Sequence, residues 1–237
     1  MYYFDWSYMV LVLPCMIFAM WASANVNSTY KKYAKVISKS GYTANDVVRR
    51  ILDENGLYNV RIEHIGGNLT DHYDPKTNVI RLSDSVYDAS SVAAIGVAAH
   101  EAGHAVQYAQ SYGPIKLRAA IIPVTNIGSK LAMPLILLGV LFGVAGEYNY
   151  TLVYIGIACF ALSLVFQLVT LPVEFNASRR AMQAIEQADI LTQEERRGAR
   201  KTLTAAAMTY VAATAVALAQ ILRLLILFGG GNRRRND

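Results

Sequence analysis

Cysteine is nearly missing from this sequence: Cys15 and Cys159 are the only two in 237 residues. No C-x-x-C pair exists, which excludes a thiolate metal site or a dithiol redox centre. Both thiols fall inside apolar runs, where they read as small packing residues rather than a disulfide. Histidine is scarce as well, with four in the chain, so a histidine-based site has few residues to draw on. Charge is thin: 16% of residues are Asp, Glu, Lys or Arg, against 54% hydrophobic. With a mean hydropathy of +0.28, that balance is too apolar for an ordinary soluble domain. The net charge of +5 comes without an aromatic–basic surface pattern or a nucleic-acid motif, so nucleic acid is not an expected partner. The chain has no internal repeat and no low-complexity tract.

The apolar residues are gathered into runs. Residues 8–24 carry no charge. Residues 119–145 are interrupted by Asn126 and Lys130, and 150–173 hold no ionisable group except tyrosine and Cys159. Residues 204–228 contain Arg223 near their end. Each run is near or above the roughly 20 residues a helix needs to cross a bilayer, so about four transmembrane helices are expected. The second is the least regular, because its first half also suits a soluble or interfacial continuation with the span starting near Lys130. No basic residue precedes the first run, which reads as an uncleaved anchor rather than a signal peptide.

Between the first and second runs lies the one sizeable polar region, 26–118. Thr43-Ala44-Asn45-Asp46 followed by Val47-Val48-Arg49-Arg50-Ile51-Leu52 reads as a capped helix that stops at Gly56. Asn59 to Ile65 alternates polar and apolar as a half-buried strand does. Asp74-Pro75-Lys76-Thr77 is turn chemistry leading into a second strand, 78–82. Ser90-Ser91 opens another helix. A second polar stretch, 174–203, contains a capping box at Thr192-Gln193-Glu194-Glu195, where a new helix begins and runs into the fourth span. The expected organisation is therefore a first transmembrane helix in 1–25, an α+β region in 26–118 and the second and third transmembrane helices in 119–173. A connecting helical region follows in 174–203, then the fourth transmembrane helix in 204–229 and a basic tail, 230–237, with Arg233, Arg234 and Arg235.

The helix opened by Ser90-Ser91 carries His100-Glu101-Ala102-Gly103-His104, an H-E-x-x-H array. Residues four apart share a helix face, so both imidazoles point the same way and can grip one small cation. Neutral imidazoles suit Zn²⁺, which leaves a fourth position to water when the protein supplies three ligands. Glu101, beside the first histidine, is in reach of that water as a general base. Gly103 costs a helix about 1 kcal/mol relative to alanine, so another chain segment or a substrate must pack closely there. For the third ligand, spacing alone leaves two candidates open. Glu174 stands at the end of the third run, and a carboxylate on a second helix completes the site in one large class of H-E-x-x-H enzymes. His72, in Leu69-Thr70-Asp71-His72-Tyr73-Asp74-Pro75, is its rival, with His64 behind. Otherwise Glu174 would be an interfacial carboxylate paired with Arg179 or Arg180.

Taken together, Leu69-Thr70-Asp71-His72-Tyr73-Asp74-Pro75, Arg81-Leu82-Ser83, Val97-Ala98-Ala99-His100-Glu101-Ala102-Gly103-His104-Ala105 and Leu171-Pro172-Val173-Glu174-Phe175-Asn176-Ala177-Ser178 carry a family likeness. The chain resembles the YugP-type family of bacterial membrane zinc metallopeptidases over nearly its whole length. The likeness implies a mainly α membrane protein with a small α+β zincin-like metallopeptidase unit. Glu174 to Ser178 is also similar to the glutamate-bearing helix of gluzincin membrane proteases of the HtpX type, whose E-x-x-A-D segment supplies the third zinc ligand through its first residue. That implies one Zn²⁺ per chain on His100, His104 and Glu174. Ser178 stands where aspartate is usual, so the carboxylate that would orient a ligating histidine is replaced.

The expected activity is endopeptidase cleavage of membrane or membrane-proximal proteins, with the lipid bilayer as surroundings. Tyr210, His72 and Arg179 are the candidates to stabilise the transition state or contact substrate. The strand 78–82 is a candidate edge for an added peptide. An inactive scaffold of the same fold that binds membrane proteins is the alternative. A metal transporter fits less well, because the expected ligands fall outside the runs or at their ends. The basic residues near the spans on one side, among them Lys31, Lys32, Lys35, Lys116, Arg118, Arg179 and Lys201, place the site in the cytoplasm of a multi-pass plasma-membrane protein.

Overall fold

A computed structural model describes residues 5–142 and 149–229. The end of the second apolar run and the basic tail 230–237 therefore lie outside the described residues. The elements are α1 (Leu13–Tyr33, led by a π-turn at Tyr8–Val12), α2 (Ala44–Glu54), β1 (Arg61–Ile65), β2 (His72–Asp74) and β3 (Val79–Ser83). They continue as α3 (Val92–Ala109), α4 (Gly113–Leu141), α5 (Tyr150–Gln187) and α6 (Gln193–Phe228). The chain divides into two compact units, one of Met1–Trp21, Leu117–Thr170 and Tyr210–Asp237, the other of Ala22–Lys116 and Leu171–Thr209.

The first unit holds the apolar parts of four helices, each long and apolar enough to cross a membrane. Large side chains such as Val10, Ile17, Met20, Ile127, Met133 and Ile226 are exposed there, as helices that face lipid rather than water require. With hydrocarbon outside, apolar burial no longer drives helix association, and close backbone packing takes over. α4 and α5 meet that way: a Cβ on Gly156 would lie 2.8 Å from the Ala132 carbonyl, and one on Gly128 would lie 3.2 Å from that of Cys159. The half-buried charge near the end of α6 is also answered, since Arg223 donates from Nε to Asp5 at 2.7 Å. α4 continues through Pro123 and Pro134 without a break at Lys130.

The second unit is the small α+β assembly. Thr43 accepts from the Asp46 N–H and Asp46 reaches back to the Thr43 N–H, so α2 starts on a full capping box. Ser91 caps α3 through its hydroxyl, and Thr192 and Glu195 cap α6 reciprocally at 3.4 and 2.8 Å. The sheet order is β1-β3-β2, with β1 parallel and β2 antiparallel to β3. This corrects the expectation for the strand 78–82. β3 is central and hydrogen-bonded on both sides, so it offers no edge to a peptide, and Val79, Ile80, Leu82 and Ser83 are buried. The edge beyond it is β2, a strand of only three residues.

α5 runs unbroken from the third apolar run through Pro172 into the polar segment that carries Glu174. Its polar end packs on α3, and Gly103 is the reason it can. A Cβ there would stand 2.7 Å from the Ala177 carbonyl oxygen, closer than side chains tolerate. Of the two occupants sequence leaves open for that gap, the space is taken by α5. Gly96, one face along, meets Ala199 of α6 at an ordinary 3.4 Å. Gly103→Ala should therefore destabilise the protein by about 1–3 kcal/mol through overpacking and reduce its zinc content, while Gly96→Ala is tolerated. Thermal unfolding with metal analysis checks both.

Candidate metal centre

α3 brings His100 and His104 one turn apart on one face, their rings 4.7 Å apart between centroids and nearly perpendicular at 82°. α5 sets Glu174 opposite them. Its Oε2 lies 3.2 Å from Nε2 of His100 and 3.6 Å from Nε2 of His104. Among the described residues this is the one trio of metal-ligating side chains whose donor atoms converge, all within 4.8 Å of one another. Ligands about 2.05 Å from a tetrahedral ion stand about 3.3 Å apart, which the two Glu174 separations of 3.2 and 3.6 Å bracket.

The other ring nitrogens decide what the site presents. Nδ1 of His104 is 3.0 Å from Oε1 of Gln107. Gln107 Nε2 already donates to the Val173 carbonyl at 2.8 Å and to Asn176 Oδ1 at 2.9 Å. The amide oxygen is thus the end that accepts, so Nδ1 carries a proton and Nε2 offers a lone pair. His100 is held likewise, its Nδ1 3.1 Å from the Ser178 hydroxyl. Ser178 thus takes the place of an aspartate as the partner of His100 Nδ1, without the charge. Two lone pairs and a carboxylate at this spacing repel one another unless a cation or protons lie between them. Two nitrogens and one oxygen form a donor set that suits Zn²⁺. Burial would lower the basicity of His104, but the hydrogen bond that its protonated ring donates to Glu174 and the charges of Glu101 and Glu174 outweigh it and raise the imidazole above its ordinary value.

Glu101 faces the same side of the site but is not one of the trio. It is nearly buried, and its Oε2 accepts the Tyr73 backbone N–H at 3.0 Å. Its other oxygen has no hydrogen-bond partner among the described residues. β2 is thus tied to the carboxylate rather than left as a free edge. The loop that delivers Tyr73 is itself anchored, because Asp71 accepts from the Ser83 N–H at 2.8 Å and from its hydroxyl.

The remaining candidates are not members of the converging trio. His72 is exposed and turns Nδ1 to the Thr70 carbonyl at 2.9 Å, outside the converging trio. In neutral form it presents a lone pair at Nε2, the wrong polarity for an oxyanion donor. His64 pairs with Asp84 at 2.8 Å. Arg179 is exposed and lines a cavity between α5 and α6. Tyr210 lies on the part of α6 that belongs to the first unit. Arg180 does not reach for Glu174: it donates to Asn176 at 2.7 Å and to Gln110 at 2.6 Å. Buried Gln107 and Asn176, with half-buried Arg180, form a relay that sequence reading passes over. Its one sequence signal is that Gln107 follows His104 by three positions and so shares its face.

Comparison with known proteins agrees with this geometry. The family described as "Putative neutral zinc metallopeptidase" matches residues 8–229. The chain belongs to that family. It is 46% identical over 224 residues to the "Putative membrane protease YugP" of Bacillus subtilis (strain 168), covering 94% of this chain and 97% of that protein. No solved structure matches.

Replacing Gln107 with leucine removes the acceptor that fixes the His104 ring. Zinc affinity should fall about 10–100-fold, measured by competition with a chromophoric chelator. Because a proton competes for Nε2 of His104, whose basicity is raised, the affinity of the wild-type protein should also weaken as pH drops through the imidazole range.

Proposed function

We propose that this chain is a membrane-embedded zinc endopeptidase that cleaves membrane or membrane-proximal proteins, with one zinc held by His100, His104 and Glu174. The observation that carries the reading is the convergence of those three donors, with Glu101, next to His100 in the chain, keeping one oxygen without a hydrogen-bond partner among the described residues. Bound there, zinc would supply a Lewis acid for the scissile carbonyl and lower the pKa of a water toward about 7.

The rest falls to the chain's own groups. Glu101 takes the proton from the attacking water and later delivers it to the leaving amine. The Tyr73 N–H holds the carboxylate in place. Ser178 and Gln107 keep the two imidazoles turned so that Nε2, not Nδ1, faces the reaction. Glu174 follows directly on the apolar run of α5, which supports cleavage close to the membrane surface. The basic residues flanking the runs support a cytoplasmic site in a plasma-membrane protein.

The test is Glu101→Gln. Zinc content should stay at the wild-type level while hydrolysis of casein or an unfolded membrane protein falls by about 10²–10⁴-fold. His100→Ala should lose both. Wild-type hydrolysis by Glu101→Gln would refute Glu101 as the base, and no hydrolysis by the zinc-loaded wild type would favour a binding scaffold instead. Substrates tethered to the bilayer should be cut faster than the same peptides free in solution, and equal rates in intact membranes would remove membrane position as a selector.

A further inference from the structure

Within the second unit, α5 and α6 enclose an open cavity of about 380 Å³. Arg179 and Arg200 flank it, and among the described residues neither has an ion pair or hydrogen bond. Two guanidiniums with no ion-pair partner of their own beside one cavity leave their donors to whatever enters. One end of the cavity is apolar, formed by Phe175, Leu203 and Ala207. Phe175 stands within a turn of the end of the α5 apolar run, and Ala207 lies within that of α6. The opposite end holds Glu186, whose carboxylate is already engaged by Arg196 at 3.8 Å. Along the two helices the lining therefore passes from apolar, at the side of the membrane-spanning runs, through cationic, to neutralised acid.

We propose that this cavity binds the phosphate of an anionic phospholipid headgroup, with Arg179 and Arg200 as its cationic clamp and the acyl chains leaving past Phe175 and Ala207. A soluble anion would satisfy the arginines but leave the apolar end uncovered, whereas a lipid matches both ends. Ser178, the partner of His100, also lines the cavity, yet lipid binding does not depend on Glu101 acting as a base, so either reading can fail without the other.

Binding is measured on the full-length, zinc-loaded protein in detergent by native mass spectrometry, with short-chain phosphatidylglycerol, short-chain phosphatidylcholine and inorganic phosphate as probes. Phosphatidylglycerol should be retained over phosphatidylcholine, and inorganic phosphate should displace it poorly. Arg179→Gln with Arg200→Gln should weaken phosphatidylglycerol by about 30-fold, from roughly fivefold per cationic side chain near a membrane surface. Arg50→Gln, on the exposed face of α2, should leave it unchanged. The Arg179→Lys, Arg200→Lys pair keeps the charges, and should keep the lipid preference even if the glutamine pair folds poorly. Equal retention of the two lipids, or phosphatidylglycerol binding indifferent to the double glutamine variant, would overturn the proposal. Displacement by equimolar inorganic phosphate would reassign the site to a soluble anion, and tighter binding of an acidic peptide would reassign it to substrate. Either would overturn it.

Discussion

Where α3 meets α5, the missing side chain of Gly103 lets the Ala177 carbonyl occupy the space a Cβ would need. Glu174 stands one turn before Ala177 and His104 directly after Gly103, so this contact sets the gap between the carboxylate and the imidazoles. Gln107 then fixes the rotation. By bonding His104, the Val173 carbonyl and Asn176 at once, it ties the two helices at the level of the ligands. A helix pair one methyl group further apart would pull the carboxylate away from the separations of 3.2 and 3.6 Å that suit a shared ion. The roughly 1 kcal/mol that glycine costs inside a helix is thus offset by the packing it permits.

The same arrangement sorts four acidic and imidazole groups into different tasks by their hydrogen bonds. Each ligating histidine spends Nδ1 on a neutral partner. Glu174 converges on both rings, while Glu101, next to His100 in the chain, is held by a strand amide and keeps an oxygen free. The two carboxylates are kept apart by lying on different helices and answering to different donors, which suits the separate roles of ligand and base proposed for them. The residue Glu174 lies on the same helix, α5, as the third apolar run.

Much of this was legible in the sequence, and the limits have physical causes. The H-E-x-x-H spacing, the apolar runs and the caps at Thr43, Ser91 and Thr192 are local signals, each written within a few residues. β2 was not readable, because three residues give no alternation to detect. The central place of β3 depends on parallel pairing with β1 and antiparallel pairing with β2, a non-local fact that makes a short buried strand look like a possible edge. Gln107 is a polar residue on a helix, which usually means a solvated face, and only the arrival of Val173 and Asn176 turns it into a buried clamp. Gly103 announced a close approach but not by what. Ser178 looked like the loss of a partner for His100, and the fold shows a hydroxyl near enough to keep that partnership.

X-ray absorption at the zinc edge of the zinc-loaded full-length chain tests the centre most directly, because multiple scattering counts imidazoles. The expected result is a four-coordinate ion with two imidazoles and oxygen ligands for the remainder, and loss of one oxygen ligand or of the metal in Glu174→Ala. Three imidazoles, which would bring His72 into the shell, or a spectrum unchanged by Glu174→Ala, would contradict it.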